Sequence, residues 1–217
     1  MDHRIFDARI KHPFLMLVCG ATQSGKTHFV MQLLHQSHRL VNKTLENIVW
    51  FYGQITNSIQ KYRKLYTNIT FVEGIPSSFD EYINEHKNNL FIFDDLMEEA
   101  SNDKNITSLF TKQSHHRNIS VILIMQDLYY KGSERKTLLR NSQYLVLFAN
   151  PLDMTTVYSI ASRMVPKRVT SFLKIFEVVT SKPHGYLFID GKQNSPTQAR
   201  FRTDIFKPYQ RVYQLLP

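Results

Sequence analysis

Eight consecutive residues, Gly20-Ala21-Thr22-Gln23-Ser24-Gly25-Lys26-Thr27, spell G-x-x-x-x-G-K-[ST]. An apolar run, Phe14 to Cys19, precedes them and a helical pattern follows. This strand–loop–helix setting is what a phosphate-binding loop requires. Gly20 and Gly25 let the backbone bend so that N–H groups face phosphate oxygens. The helix that follows turns its positive dipole end toward the same anions. Lys26 would reach the β- and γ-phosphates and Thr27 would hold Mg²⁺. The chain therefore reads as a binder of a nucleoside triphosphate.

A second acidic motif lies about 70 residues further on, where Leu90-Phe91-Ile92-Phe93 runs into Asp94 and Asp95. A buried strand ending in acids aims Asp94 at the Mg²⁺ site, where hard oxygen ligands are wanted. Asp95 can then polarise the attacking water as general base, with Glu98 and Glu99 as weaker alternatives. The apolar run Val121–Met125 ends in the polar Gln126. In P-loop ATPases with an extra strand between the two motifs, a polar residue at this tip senses the γ-phosphate. Arg117, in Ser114-His115-His116-Arg117-Asn118, is either a finger for a neighbouring subunit's γ-phosphate or a solvated loop charge. The histidine pair lacks ligand-spaced partners for zinc.

The elements that must position these residues are also legible. Strand-like runs recur at Phe14–Cys19, Asn47–Tyr52, Ile69–Val72, Leu90–Phe93, Val121–Met125, Tyr144–Phe148 and Tyr186–Ile189. Several are apolar throughout, as strands buried on both faces of a parallel sheet must be. Helical stripes alternate with them: Phe29, Val30, Leu33, Leu34; Ile106, Leu109, Phe110; Phe172, Leu173, Phe176. Another stripe comprises Met154, Val157, Tyr158, Ala161 and Met164, with Asn150 and Pro151 predicted as N-cap and first helical residue. The alternation predicts an α/β fold, a three-layer P-loop NTPase of the additional-strand type with a mostly parallel central sheet. Ser181 to Gly185 reads as the turn into the last strand.

Composition bounds the setting. The 217 residues suit a single domain with a core over about 11–208 and short terminal extensions. The net charge of +9 fits a polyanionic partner, nucleic acid before an anionic membrane, although such an excess can also serve solubility alone. One cysteine, Cys19, cannot form an internal disulfide, so a reducing compartment is expected. No run is long enough to span a bilayer, and the first apolar run leads straight into the phosphate loop, unlike a signal peptide. Lys131, Arg135, Lys136 and Arg140 cluster after the Gln126 strand beside Tyr129 and Tyr130. They read either as a DNA-tracking loop, with tyrosines that stack or wedge, or as a solvated helix face.

Taken together, GATQSGKT, LFIFDDL, SLFTKQSHHRNISVILIMQD, LLRNSQYLVLFANPLD, TSKPHGYLFID and RFRTDIF resemble the viral DNA-packaging ATPases of the FtsK–HerA superfamily. The likeness is greatest to those of Polinton/Maverick-type elements and adintovirus-like DNA viruses, kin to the poxvirus packaging ATPase. It covers roughly residues 11–208. The resemblance implies ATP and Mg²⁺ as ligands, held by Lys26, Thr27 and Asp94. It also implies Asp95 as catalytic acid, Gln126 as sensor, and Arg117, then Arg140, as trans-acting finger. The superfamily usually has glutamate where this chain has Asp95, so a longer water bridge or a substituting Glu98 stays open. The implied partners are double-stranded DNA, a homo-oligomeric ring, usually hexameric and sometimes pentameric, and a capsid or portal vertex. The implied place is inside the host, in nucleus or cytoplasm, where virions assemble. A cellular-type DNA pump of the same superfamily is an alternative, although the extra DNA-orienting domains of the larger pumps have no counterpart here. A P-loop small-molecule kinase is another, disfavoured by the tandem acids and the polar-tipped strand. A GTP-dependent switch fits less well, because Asn42-Lys43-Thr44-Leu45 is early and lacks the aspartate of a guanine reader.

Overall fold

A computed structural model describes residues 7–96, 106, 108, 109, 117–126 and 135–215. Its strands are β1 (Leu15–Cys19), β2 (Asn47–Tyr52), β3 (Ile69–Glu73), β4 (Asn89–Asp94), β5 (Ile119–Met125), β6 (Tyr144–Phe148), β7 (Tyr186–Asp190), β8 (Phe201–Thr203) and β9 (Arg211–Tyr213). They form one sheet in the order β3-β2-β4-β5-β1-β6-β7-β8-β9. The first six strands are parallel, and β7 to β9 continue the sheet antiparallel. The helices are α1 (Lys26–His35), α2 (Ser37–Leu40), α3 (Asn57–Leu65), α4 (Arg135–Asn141), α5 (Thr155–Met164) and α6 (Val169–Thr180).

The unbroken apolar strands are explained by two cores, one on each face. Leu15, Leu17, Phe91, Phe93, Val121 and Leu123 point into one core with Val157, Ile160, Phe172 and Phe176 from α5 and α6. Met16, Val18, Leu90, Ile92, Ile122 and Ile124 point into the other with Phe29, Val30, Leu33 and Ile59 from α1 and α3. Successive side chains of a strand face opposite ways, so a strand covered on both sides must be apolar at every position. The expected three layers result, and the stripes of α1 and α6 are buried or packed against these cores.

Register places the chemistry. Cys19 is paired with Met125 and Leu147, and Asp94 with Ile124 and Tyr52. The carboxyl ends of β1, β4 and β5 therefore lie side by side, where open α/β sheets bind ligands.

Two expectations are corrected. The helix expected to open at Asn150-Pro151 begins at Thr155. Asn150 instead accepts a hydrogen bond from the Leu152 N–H, and the Asp153 carboxylate caps the helix by accepting from the Thr155 and Thr156 N–H groups. The buried face is Thr156, Val157, Ile160 and Ala161, and Met154 and Tyr158, expected in the core, are exposed. The turn at Ser181–Gly185 leads into β7, which is not the last strand: β8 and β9 follow. At three residues each, they are too short to show a clear period in sequence. Arg202 on β8 is almost fully buried, 3.6 Å from Asp190 of β7. It lies over the Phe188 ring and donates to the Ala8 carbonyl at 2.6 Å, tying these strands to the amino-terminal segment.

Candidate nucleotide site

The phosphate loop connects β1 to α1 as expected. Gly25, at φ 108°, occupies the left-handed region just before the helix, which L residues adopt only with strain. Lys26 is buried, and its ammonium donates to the Gly20 and Ala21 carbonyls at 2.8 Å each. That leaves one of its three N–H donors for a phosphate. Burial lowers its pKa, an effect opposed by Cys19, Asp94 and Asp95.

Asp94 ends β4, and the Thr27 hydroxyl donates to its carboxylate at 3.4 Å. Burial, then the adjacent Asp95 charge, raise the Asp94 pKa to about 6. A hydroxyl and two carboxylates drawn together against desolvation are a donor set suited to a hard divalent cation. Among the described residues no group of three His, Cys, Asp or Glu side chains forms a protein-only metal cage.

Asp95 is exposed, with φ 57°, a left-handed conformation uncommon for a residue with a side chain. Its neighbour across the sheet fixes it there. The Gly53 N–H donates to the Asp94 carbonyl at 3.0 Å, and a Cβ on Gly53 would lie 2.3 Å from the Asp95 carbonyl oxygen. Only glycine fits at 53, so the end of β2 and the acidic tip of β4 are locked together.

These groups share one pocket of about 340 Å³ with Thr22, Gln23, His28 and Gln126. The Thr22 hydroxyl donates to the Gln126 side-chain oxygen at 3.2 Å, joining the tip of β5 to the loop. The structure thus brings together Thr22, Gln23, Gly25, Lys26, Thr27, Asp94, Asp95 and Gln126. Gly20, Ala21 and Ser24 complete the loop behind them.

Arg117 is elsewhere. It sits before the amino end of β5, paired with Asp80 at 2.5 Å, at the end of the sheet opposite its own pocket. Arg140 is exposed near the end of α4, also at that end. Glu98, Glu99, Lys131, Tyr129, Tyr130, His115 and His116 lie outside the described residues, as do the side chains of Arg135 and Lys136.

Two parts of the site were missed in the sequence. Gln54, Thr56, Ser58, Ile59 and Tyr62, from the loop after β2 and from α3, form a wall of the pocket. A polar residue just past the carboxyl end of a parallel strand was the available signal. The second part is His184, whose Nδ1 lies 3.2 Å from the Ser24 carbonyl oxygen and packs against Gly25. A carbonyl can only accept, so Nδ1 carries the proton in this bond. Nothing local in sequence connects residues 160 positions apart.

A family model described as "Poxvirus A32 protein" matches residues 3–203. The fold resembles that of the genome packaging NTPase B204 from Sulfolobus turreted icosahedral virus 2 in its complex with AMP, at 12% identity and TM-score 0.55, over 90% of this chain and 98% of that one. The B204 complex with AMPPCP matches at 11% identity and TM-score 0.56, over 94% and 98%. The complex with ATP-gammaS matches at 11% and 0.54 over the same shares. A search of curated proteins gave no significant match.

Proposed function

Because this chain belongs to the Poxvirus A32 protein family, we propose that it is an ATP-hydrolysing motor that drives double-stranded DNA into a viral capsid. The observation that carries the reading is the convergence of Lys26, Thr27, Asp94, Asp95 and Gln126 on one pocket at the carboxyl ends of β1, β4 and β5. A binding module needs the phosphate loop alone. A hydrolase also needs an acid and a polar sensor beside it.

In this reading the loop amides and Lys26 hold the phosphate chain of ATP. Mg²⁺, held by Thr27 and Asp94, would neutralise charge on the phosphate oxygens. Asp95 orients a water in line with the γ-phosphorus and takes its proton as the water oxygen bonds to phosphorus. The bond from that phosphorus to the β–γ bridging oxygen breaks, giving ADP and phosphate. Gln126, linked to the loop through Thr22, registers whether the γ-phosphate is present. Arg117 faces away from its own pocket, so it would serve as a finger only for a neighbour in a ring. Gln54 is a further pocket residue able to hold the water.

The test is steady-state ATP hydrolysis with Mg²⁺, with and without long double-stranded DNA, over a salt series. The motor predicts stimulation by DNA of any sequence that fades as salt rises. Phosphoryl transfer to a nucleotide with no response to DNA would favour a kinase instead.

A further inference from the structure

Five cationic side chains line two grooves away from the nucleotide pocket. Residues 155–168, spanning α5 and the 3-10 turn Pro166–Arg168, contain Arg163, Lys167 and Arg168 and no acid. Two grooves adjoin there, of about 670 and 490 Å³, sharing Met164. Lys167, Arg168 and Arg200 line the first, and Arg140 and Arg163 the second. No acid is among the described residues that line either. The Arg168 guanidinium donates to the Leu215 carbonyl at 3.1 Å and that of Arg200 to the Ser195 carbonyl at 3.3 Å. Each is thereby held in place with four N–H donors left. Thr197 and Gln198 add uncharged polar groups to the wall.

Topology fixes where this groove lies. Arg140 is at the end of α4, which leads into the amino end of β6, and Gly191 of the groove follows the carboxyl end of the antiparallel β7. Both positions are at the end of the sheet opposite the phosphate loop. The groove shares no lining residue with the nucleotide pocket.

We propose that this groove, lined by Arg140, Arg163, Lys167, Arg168 and Arg200, is the track for the DNA phosphate backbone. The proposal rests on the reading of the chain as a DNA motor. Five cations lining adjoining grooves, with no acid among the described lining residues, suit a repeating anion. Guanidinium groups suit phosphate oxygens, which accept their paired N–H groups. The proposal places the DNA contact at α5 and the β7–β8 connection; Arg140 also belongs to the cluster expected after β5, whose other side chains lie outside the described residues.

The experiment measures binding of the full chain to a long mixed-sequence duplex across a salt series, for wild type and for the double variant Arg163→Ala, Lys167→Ala. Neither side chain makes a hydrogen bond or ion pair among the described residues, so the variant should fold. Each lost phosphate contact reduces the slope of log K against log salt by roughly 0.9. The double variant should therefore lose roughly 2 in slope and bind roughly 10- to 60-fold more weakly at about 0.1 M salt. Its ATP hydrolysis without DNA should equal that of wild type. Unchanged slope and affinity would overturn the groove while leaving the motor standing. Undiminished DNA binding with lost binding of polyglutamate would also overturn it, assigning the groove to an acidic protein. Wild-type protein that binds no duplex at any salt would overturn the motor itself, and this proposal with it.

Discussion

Replacing Asp94 with asparagine should stabilise the protein while abolishing hydrolysis. The Asp94 carboxyl titrates near 6 rather than 3.8, chiefly because it is buried and secondly because Asp95 is beside it. The folded state thus binds this proton more readily than the unfolded chain, and ionisation costs stability. The cost grows as pH rises through the interval from 3.8 to about 6 and is complete at neutral pH. Linkage gives about 3 kcal/mol at pH 7.5, about half of that at pH 5, and under about 1 kcal/mol at pH 4. Asparagine carries no charge to desolvate and keeps an oxygen that accepts from Thr27. For a chain of this size each kcal/mol moves the melting temperature by about 2–4 °C, so the variant should melt up to about 6–12 °C higher at pH 7.5. The assay is thermal unfolding by circular dichroism in buffer with a chelator and no nucleotide, at pH 7.5, 5 and 4. A variant that melts at or below wild type at pH 7.5 would refute the reasoning. So would a gain that does not shrink toward pH 4, because it would not come from the ionised carboxylate.

Three further outcomes are expected. Lys26→Ala should abolish ATP binding, measured by titration calorimetry, and leave the far-ultraviolet spectrum of the fold intact. Asp95→Asn should keep ATP affinity but slow single-turnover hydrolysis by at least about 100-fold, as loss of a general base does. Normal hydrolysis in that variant, with loss in Glu98→Gln, would make Glu98 the base. His184→Gly keeps the left-handed backbone at φ 58° but removes the hydrogen bond to Ser24, and should raise KM for ATP several-fold with little change in kcat. His184→Asn, which tolerates that backbone and can still donate, should recover part of the loss. Equal KM in all three proteins would deny His184 a part in ordering the loop.

Much of this could be read in the sequence because the relevant physics is local. Seven strands follow from short apolar, β-branched or aromatic runs, several of them too continuous for burial on one face only. The loop and acids of the nucleotide site follow from motifs whose residues are adjacent in the chain. What escaped depended on long-range geometry. Met154 and Tyr158 fit an apolar stripe, but the face of α5 packed against the sheet and α6 is Thr156, Val157, Ile160 and Ala161, which leaves both exposed. The wall from Gln54 to Tyr62 becomes part of the pocket only because β2 lies next to β4. The contact of His184 with Ser24 requires α6 to return the chain to the phosphate-loop end of the sheet, where β7 begins beside the carboxyl end of β6.

The opposed placement of pocket and basic groove gives the sheet a mechanical meaning. The strands between them are five to seven residues long, or about 20 Å at about 3.3 Å per residue. A sheet packed on both faces bends little, so in the proposed motor it would act as a lever with its fulcrum at the nucleotide. A tilt of about 10° there displaces the far end by about 3–4 Å, close to the rise of one base pair, about 3.4 Å. Chemistry at one end can then advance a polymer at the other with no side chain travelling between them. Single-molecule steps near one base pair per ATP would match this lever; much longer steps would require the subunits to slide against one another.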